Sequence, residues 1–150
     1  MEKINFIKMH GLGNDFVIID KRFKDINISN SLIKKLSNRK TGAGCDQLIT
    51  IDKIDVSNID AKIEIFNPSG DRAEACGNGT RCVAKLLFNE SSKDKINIQS
   101  DIGILQAQKV DNYNISVNLG KLSTNWEKIP ISRNIDTLNI PLEINGLSKG

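Results

Sequence analysis

Short apolar runs separated by polar turns dominate the first 120 residues. Residues 3–9 and 16–20 are two such runs, and they flank a polar, glycine-containing stretch, the pattern of two strands joined by a tight turn. Further strands are predicted at residues 48–51, 61–66, 96–99, 103–109 and 113–119. The last three follow one another in a meander, which favours antiparallel pairing.

Helical periodicity occurs first between residues 30 and 39. Leu32, Ile33 and Leu36 form the apolar face of this predicted helix, which is capped by Asn30 or Ser31. It ends near Arg39.

A second helix is predicted from about Cys76 to Asn89. It is apolar on nearly every side, through Cys82, Val83, Ala84, Leu86, Leu87 and Phe88. A helix with that distribution belongs inside a protein, surrounded by sheet. The sequence therefore predicts an α+β fold in which a mostly antiparallel sheet curls around one buried central helix.

The character of the chain changes after Gly120. Residues 121–150 contain the only Trp and two of the three Pro, with one late strand candidate at residues 138–144. A boundary near Gly120 is therefore expected.

Composition narrows the classes of function. The net charge is only +3, and the basic residues are spread along a chain with few aromatics, unlike most nucleic-acid-binding proteins. No apolar stretch approaches the length of a membrane-spanning helix, and the first residues lack the core of a signal peptide. The three cysteines show no CxxC spacing, which argues against a disulfide framework or a structural zinc site. We expect a cytoplasmic protein with free thiols.

Cys76 is the strongest candidate for chemistry. It lies where a turn gives way to the second helix and is followed by Gly77-Asn78-Gly79. The unpaired N–H groups and positive dipole end of a helix start favour the thiolate form of a cysteine placed there and suit a carboxylate ligand. The glycines allow close approach of a ligand to the backbone. A buried structural cysteine beside a glycine-rich cap fits the same pattern.

Asn14, Gln47 and Asn67 each lie in or next to a predicted turn. Each fits either ordinary turn chemistry or hydrogen bonding to a polar ligand. Cys45 and Cys82 are interpreted as structural, and His10, the only histidine, as a turn residue. A single histidine excludes a His-rich metal site.

Four blocks of the sequence together resemble the diaminopimelate epimerase family. They are residues 8–16 (KMHGLGNDF), 41–47 (TGAGCDQ), 66–70 (FNPSG) and 75–82 (ACGNGTRC). The order and intervals of the blocks carry the resemblance, which covers residues 1 to about 120.

The resemblance implies interconversion of LL- and meso-diaminopimelate, in lysine and peptidoglycan biosynthesis, without pyridoxal phosphate or metal. One cysteine thiolate removes the α-proton and a second cysteine returns a proton to the opposite face. By the match, Cys76 is one of these two residues, while Gly77 and Asn78 contact the α-carboxylate and amine end. Asn14, Gln47 and Asn67 match substrate-binding positions. The implied fold has two similar domains, each with a sheet curled around a helix.

The chain departs from the family pattern in its length. Family members are about twice as long, and neither their Glu-Arg-Gly-x-Gly-Glu-Thr block nor their Ala-Cys-Gly-Ser-Gly block occurs here. By the resemblance, residues 1–120 form the first domain, and 121–150 form the crossing segment and the incomplete start of a second. We therefore expect no epimerisation by this chain alone, with an apolar surface exposed where the second domain would pack.

Two alternatives remain open. A related isomerase of the proline racemase or phenazine-biosynthesis type has the same implied fold, and a non-catalytic domain could bind an amino acid or a partner protein. The expected partners are diaminopimelate, the second domain in cis or in trans, and a second copy of the chain, but neither nucleic acid nor a membrane.

Overall fold

In the computed structural model, which describes residues 3–141, the chain forms one mixed sheet and two α-helices. The elements in order are β1 (Ile7–Gly11), β2 (Asn14–Asp20), α1 (Asn30–Ser37), β3 (Gln47–Asp52), β4 (Ala61–Phe66), β5 (Arg72–Ala73), α2 (Gly77–Asn89), β6 (Lys95–Ser100), β7 (Gly103–Lys109), β8 (Ile115–Asn118) and a 3₁₀ helix (Trp126–Lys128).

The sheet has the strand order β1-β2-β3-β4-β6-β7-β8, with the short β5 paired to β4. Most neighbours are antiparallel, as the sequence predicted, but β2 pairs with β3 and β4 pairs with β6 in parallel. The physical reason is that α1 lies between β2 and β3 in the chain and α2 lies between β4 and β6. A helical crossover returns the chain to the same end of the sheet.

The central strands are apolar on both faces because each face meets a different helix. Phe16, Ile18 and Ile49 belong to the core cluster that contains the buried side chains of α2. Val17 and Ile19, which alternate with them along β2, belong to the cluster around Ile33 of α1. Period-two alternation thus places successive residues of one strand in two cores.

The sheet curls toward α2, because this helix contacts strands from both ends of the strand order, β1 and β2 as well as β6, β7 and β8. Its buried side chains include Cys82, Val83 and Leu87, whereas Lys85 and Leu86 are only half-buried. The predicted α+β class with a curled sheet is confirmed. The prediction that α2 is buried on nearly every side is not confirmed.

Several predicted boundaries were wrong. The first strand begins at Ile7 rather than at residue 3. Helix α1 is capped by Ser29, whose Oγ accepts the N–H of Leu32 at 3.2 Å, and it ends at Ser37 rather than at Arg39. Strand β5 was not predicted, because two residues are too few for a periodic signal.

The turn between β1 and β2 is shorter than predicted. Only Leu12 and Gly13 form it, both with positive φ (55° and 86°), and His10 pairs with Asp15 within the ladder. A two-residue turn of this handedness matches the twist of a hairpin, so His10 is a strand residue and not a turn residue. Within the late predicted strand, residues 138–141 are not strand, and 142–144 lie outside the described residues.

The chain divides into two compact units, Met1–Leu119 and Gly120–Gly150. The first contains the sheet and both α-helices. The second contains the 3₁₀ helix and a longer-range bond in which the Thr137 hydroxyl donates to Thr124 O at 2.6 Å. Among residues 3–141, no helix has both the length and the apolarity needed to cross a membrane.

Candidate functional site

The residues singled out by sequence come together at one end of the sheet. Strand β2 begins at Asn14 and the parallel β3 begins at Gln47, while the antiparallel β4 ends one residue before Asn67. Helix α2 starts at the same end: a Cβ on Gly11, the last residue of β1, would lie 3.2 Å from Asn78 O. Topology alone therefore gathers residues that are up to 64 positions apart in the chain.

Cys76 is the N-cap of α2. It has extended backbone angles (φ −149°, ψ 103°), and its Sγ accepts the N–H of Gly79 at 3.4 Å. The first intrahelical bond runs from Thr80 N to Cys76 O at 2.9 Å, so the N–H groups of Gly77 and Asn78 lie ahead of the helical ladder. Donors in this position, at the positive end of the helix dipole, attract an anionic group.

The sulfur of Cys76 also contacts Asn14. Its thiol is placed to donate to Asn14 Oδ1 at 3.6 Å, and Cys76 is half-buried. The Asn14 side chain itself donates through Nδ2 to Asp46 Oδ2 at 3.0 Å. Asn14 therefore joins Cys76 to a carboxylate on the loop ahead of β3.

Gln47 and Asn67 form a second contacting pair. Gln47 Nε2 donates to Asn67 Oδ1 at 3.1 Å. Asn67 is held by its own turn, where its N–H donates to Asp71 O at 2.8 Å and its carbonyl accepts from Gly70 N at 2.9 Å. The bond between the two side chains uses Asn67 Oδ1 and Gln47 Nε2. The side-chain groups left for other partners are therefore Asn67 Nδ2 and Gln47 Oε1.

The two glycines after Cys76 have different surroundings. A Cβ on Gly79 would lie 2.6 Å from Ile49 Cδ1 and 3.2 Å from Phe16 Cε1, so Gly79 lets the helix start pack on the sheet. A Cβ on Gly77 would meet Leu119 Cδ1 at 3.2 Å, a neighbour at the end of a flexible side chain. Close approach of a ligand, expected for both glycines, is therefore confined to Gly77, while Gly79 is a packing residue.

Sequence reasoning missed a charged cluster next to Asn14. Asp15 is ion-paired with Arg39 (Oδ1–Nη2 2.6 Å) and with Lys8 (Oδ2–Nζ 2.8 Å), and Arg39 Nη2 also contacts Asp46 Oδ1 at 2.7 Å. The Arg39 hydrogen bonds are the main cause that holds the pKa of Asp15 well below its usual range. Hydrogen bonds from Asn14 and the Asp15 backbone lower the pKa of Asp46. In the sequence, Asp15 directly follows Asn14 and Asp46 directly precedes Gln47. This proximity was the signal that could have revealed the cluster.

Cys45 and Cys82 are buried, in agreement with the structural role that the sequence indicated. The Cys45 thiol donates to Ser37 Oγ at 3.4 Å. Burial raises the pKa of Cys82 to about 11, so this residue stays a neutral thiol near neutral pH. Within residues 3–141, no three His, Cys, Asp or Glu side chains are grouped closely enough to hold a metal ion.

The open side of the curled sheet contains a cleft of about 450 Å³ between β1, α2 and the β7–β8 connection. Its lining includes His10, Arg81, Cys82 and Tyr113 but not Cys76. This cleft therefore does not coincide with the cluster of predicted site residues, which lies at the start of α2.

Sequence comparison decides the family. The sequence model described as diaminopimelate epimerase matches residues 6–124. The chain belongs to the diaminopimelate epimerase family. The diaminopimelate epimerase of Pelagibacter ubique is 45% identical over 141 residues, which are 94% of this chain and 50% of that protein. That of a Wolbachia strain from Drosophila simulans is 43% identical over 144 residues, 95% of this chain and 52% of that protein.

This member spans about half the length of the curated diaminopimelate epimerases that it matches. Solved structures with the same fold are more distant in sequence. A phenazine biosynthesis protein of Bacillus anthracis superimposes with a TM-score of 0.54 at 19% identity, over 72% of this chain and 36% of that one. A hydroxyproline epimerase of Agrobacterium vitis superimposes with a TM-score of 0.55 at 12% identity, over 75% of this chain and 40% of that one.

Proposed function

We propose that this chain supplies one face of the active site of a cofactor-independent amino-acid epimerase that interconverts LL- and meso-diaminopimelate. The observation that carries the proposal is the geometry of Cys76. Its sulfur caps α2, where it meets both a donor, Gly79 N–H, and an acceptor, Asn14 Oδ1. Family membership over residues 6–124 supports the substrate class.

The proposed step is a proton transfer at the α-carbon. The thiolate of Cys76 forms an S–H bond as the Cα–H bond breaks, and the electron pair stays on the α-carbon, delocalised into the α-carboxylate. The N–H groups of Gly77 and Asn78 stabilise the carboxylate charge that develops, because they precede the helical ladder and point along the helix dipole. A proton delivered to the opposite face then inverts the centre.

The amide side chains bind the polar groups of the substrate. Asn14 lies beside the sulfur, while the Gln47–Asn67 pair lies across the ends of β3 and β4. An amide nitrogen donates to a carboxylate and an amide carbonyl accepts from an ammonium group. These residues therefore suit a substrate that carries both groups.

The opposite face requires a second acid that Cys45 and Cys82 do not provide. Both are buried, and burial raises the pKa of Cys82. We place the second cysteine in a second domain, on the same polypeptide or on a partner, with a second copy of the chain as another candidate partner. Residues 1–120 then form the first domain around a central α2, and 121–150 form the crossing segment and the incomplete start of the second domain.

The test is a chimaera in which this chain is joined to the part of the Pelagibacter ubique enzyme that it does not match. In D₂O, we expect it to convert LL- into meso-diaminopimelate with deuterium entering at the α-carbon, followed by NMR. The chain alone should not interconvert the isomers. Cys76→Ala should lower the chimaera's rate by roughly 10²–10⁴-fold, the usual contribution of an acid/base group.

The matched control is Cys45→Ala, which removes a buried thiol away from the helix start and should retain activity. Full activity of the Cys76→Ala chimaera would contradict the role of Cys76. Interconversion by the chain alone would contradict the need for a second domain. Binding of diaminopimelate without any α-proton exchange would favour the non-catalytic alternative.

A further inference from the structure

Asp46 fixes the orientation of the Asn14 side chain. Its Oδ2 lies 3.0 Å from Asn14 Nδ2 and 3.0 Å from Asp15 N. A carboxylate accepts hydrogen bonds but donates none, so only the NH₂ end of the Asn14 amide can face it. The amide has two ends, and its carbonyl oxygen must then face the other way, toward Cys76 Sγ at 3.6 Å.

Asp46 is itself held in place. Arg39 Nη2 donates to its Oδ1 at 2.7 Å, and its backbone N–H donates to Asp15 Oδ1 at 2.9 Å. Asp15 and Asp46 thus exchange reciprocal bonds, since each backbone N–H donates to the other's carboxylate. These bonds hold the carboxylate in one orientation and keep it ionised.

The orientation of Asn14 matters because a base that also returns its proton needs partners in both protonation states. Gly79 N–H, 3.4 Å from Sγ, stabilises the thiolate. Asn14 Oδ1 accepts from the thiol. A reversed Asn14 amide would present a second donor to the sulfur and favour the thiolate alone.

We propose that Asp46 is a positioning residue that acts through Asn14 to keep an acceptor on the thiol form of Cys76, an inference that rests on the acid/base role proposed above for Cys76. The Asp46→Asn variant tests it. The charge-assisted bond from Arg39 is the strongest of the bonds to this side chain, so the new amide keeps its oxygen toward Arg39. Its NH₂ group then turns toward Asn14, and the Asp15 N–H loses its acceptor. The Asn14 amide then reverses and turns its own NH₂ group toward the sulfur.

Asp15→Asn is the matched control. The charged or titratable side chains on β1, β2 and α2 are Lys8, His10, Asp15, Asp20, Arg81, Cys82 and Lys85. Those ahead of β3 are Arg39, Lys40, Cys45 and Asp46, and those before the cap of α2 are Arg72 and Glu74. Asp15→Asn removes the same charge from the same cluster as Asp46→Asn but does not touch the Asn14 side chain. The pair therefore separates amide orientation from net charge.

The measurement is the rate at which iodoacetamide alkylates Cys76 in the full chain, resolved by peptide mass and followed against pH. Below the midpoint of the profile, we expect Asp46→Asn to raise the rate about tenfold and to move the profile about one unit to lower pH. Asp15→Asn should change the rate much less. Asn14→Ala, which removes the acceptor directly, should raise the rate in the same direction.

The decisive comparison is made in the Asn14→Ala background, where Asp46→Asn should have no further effect because the residue through which it acts is gone. A persistent increase there, equal effects of the two Asp→Asn variants, or no increase with Asn14→Ala would each overturn the proposal. Asn14→Ala remains informative if Asp46→Asn does not fold. The alkylation assay contains no diaminopimelate, so it measures the thiol chemistry of Cys76 independently of catalysis. A chimaera that does not epimerise would therefore overturn the proposed function but would leave the alkylation result unchanged.

Discussion

At the scale of single residues, the candidate site joins a cysteine and an amide to a cluster of ionised side chains. Cys76 and Asn14 contact each other at the helix start, and Arg39, Asp15 and Asp46 form an ion-paired cluster next to them. Fixed charges near a reacting group avoid reorganisation at the moment of reaction. The cluster is therefore expected to contribute both to the geometry of the site and to the stability of the loop that carries it.

The stabilisation from Arg39 should depend on pH. The pKa of Asp15 is lowered below its ordinary value of 3.8, chiefly by the hydrogen bonds from Arg39. A carboxyl whose pKa is lowered by folding stabilises the fold fully above its unfolded value and loses that contribution as the pH falls toward the folded value. We expect Arg39→Gln to destabilise the chain at neutral pH, by an amount that shrinks below about pH 4.

Urea denaturation of both proteins at a series of pH values measures this difference. Lys40→Gln is the control, since Lys40 is exposed and makes no ion pair among the described residues. A difference between Arg39→Gln and the parent that stays constant from neutral to acidic pH would show that the arginine acts by packing and not by charge.

The sequence predicted the members of the site better than their contacts. Cys76 was predicted at the start of a helix from the Gly-x-Gly that follows it, and the structure places it there as the N-cap. Asp46 and Arg39 were missed because their roles depend on the parallel pairing of β2 and β3, which joins segments about 30 residues apart. Sequence periodicity shows which residues share a strand face, but it does not show which strand lies beside which.

At the scale of elements, the loop of residues 38–46, which contains Gly42 and Gly44, caps the C-terminal end of α1. Gly42 N donates to Asn38 O at 2.9 Å, Gly44 N to Leu36 O at 2.9 Å and Cys45 N to Ser37 O at 3.2 Å. These bonds satisfy carbonyls that a helix end leaves unpaired. The loop then continues directly to Asp46 and β3, so the end of α1 sets the position of the charged cluster.

Gly42→Ala should destabilise this junction. The new Cβ would overlap Lys35 O and lie 2.8 Å from Leu36 O, and backbone carbonyls yield less readily than the end of a side chain. We expect the free energy of unfolding to fall by about 3 kcal/mol, the upper part of the usual range for overpacking. Urea denaturation measures it.

Thr41→Ala is the control for Gly42→Ala, because Thr41 is the exposed neighbour in the same loop. We expect its effect to stay within about 0.5 kcal/mol. Equal free energies of unfolding for the Gly42→Ala variant and the parent would mean that the loop can move away from the end of α1 without loss of stability.

The element pattern shows where sequence reasoning on the fold succeeds. Strands β4 and β7 were predicted with their observed bounds, because apolar runs and turn residues mark both ends. The cap of α1 was misplaced by one or two residues because three polar residues that can cap a helix, Ser29, Asn30 and Ser31, follow one another. The bond from Leu32 N to Ser29 Oγ and the extended backbone of Ser29 identify Ser29 as the cap.

At the scale of the whole molecule, the core formed by residues 3–141 lies within the first compact unit. Among the described residues, the buried hydrophobic side chains lie between Phe16 and Ala107 in the chain. The free energy of folding comes mainly from such burial. The unit Gly120–Gly150 adds none of these side chains.

A chain ending at Gly120 should therefore still fold. We expect it to unfold cooperatively in urea, with a free energy of unfolding within about 1 kcal/mol of the full chain, because its core is unchanged. Circular dichroism is a suitable measure of unfolding, because the truncation removes Trp126, the only tryptophan, and with it the tryptophan fluorescence signal. Non-cooperative melting of the shortened chain would show that residues 121–150 contribute to the stability of the first unit.

The two ends of the sheet differ in how well they are guarded against strand addition. In the described part of the chain, β1 and β8 are the terminal strands of the pairing order, and a terminal strand presents backbone groups to which another extended chain can bind. Strand β1 carries Lys8 and His10, whereas the short strand Ile115–Asn118 contains no charged residue. Aggregation of the isolated chain at high concentration should therefore begin at β8, and a lysine introduced on that strand is the change that would most improve its solubility.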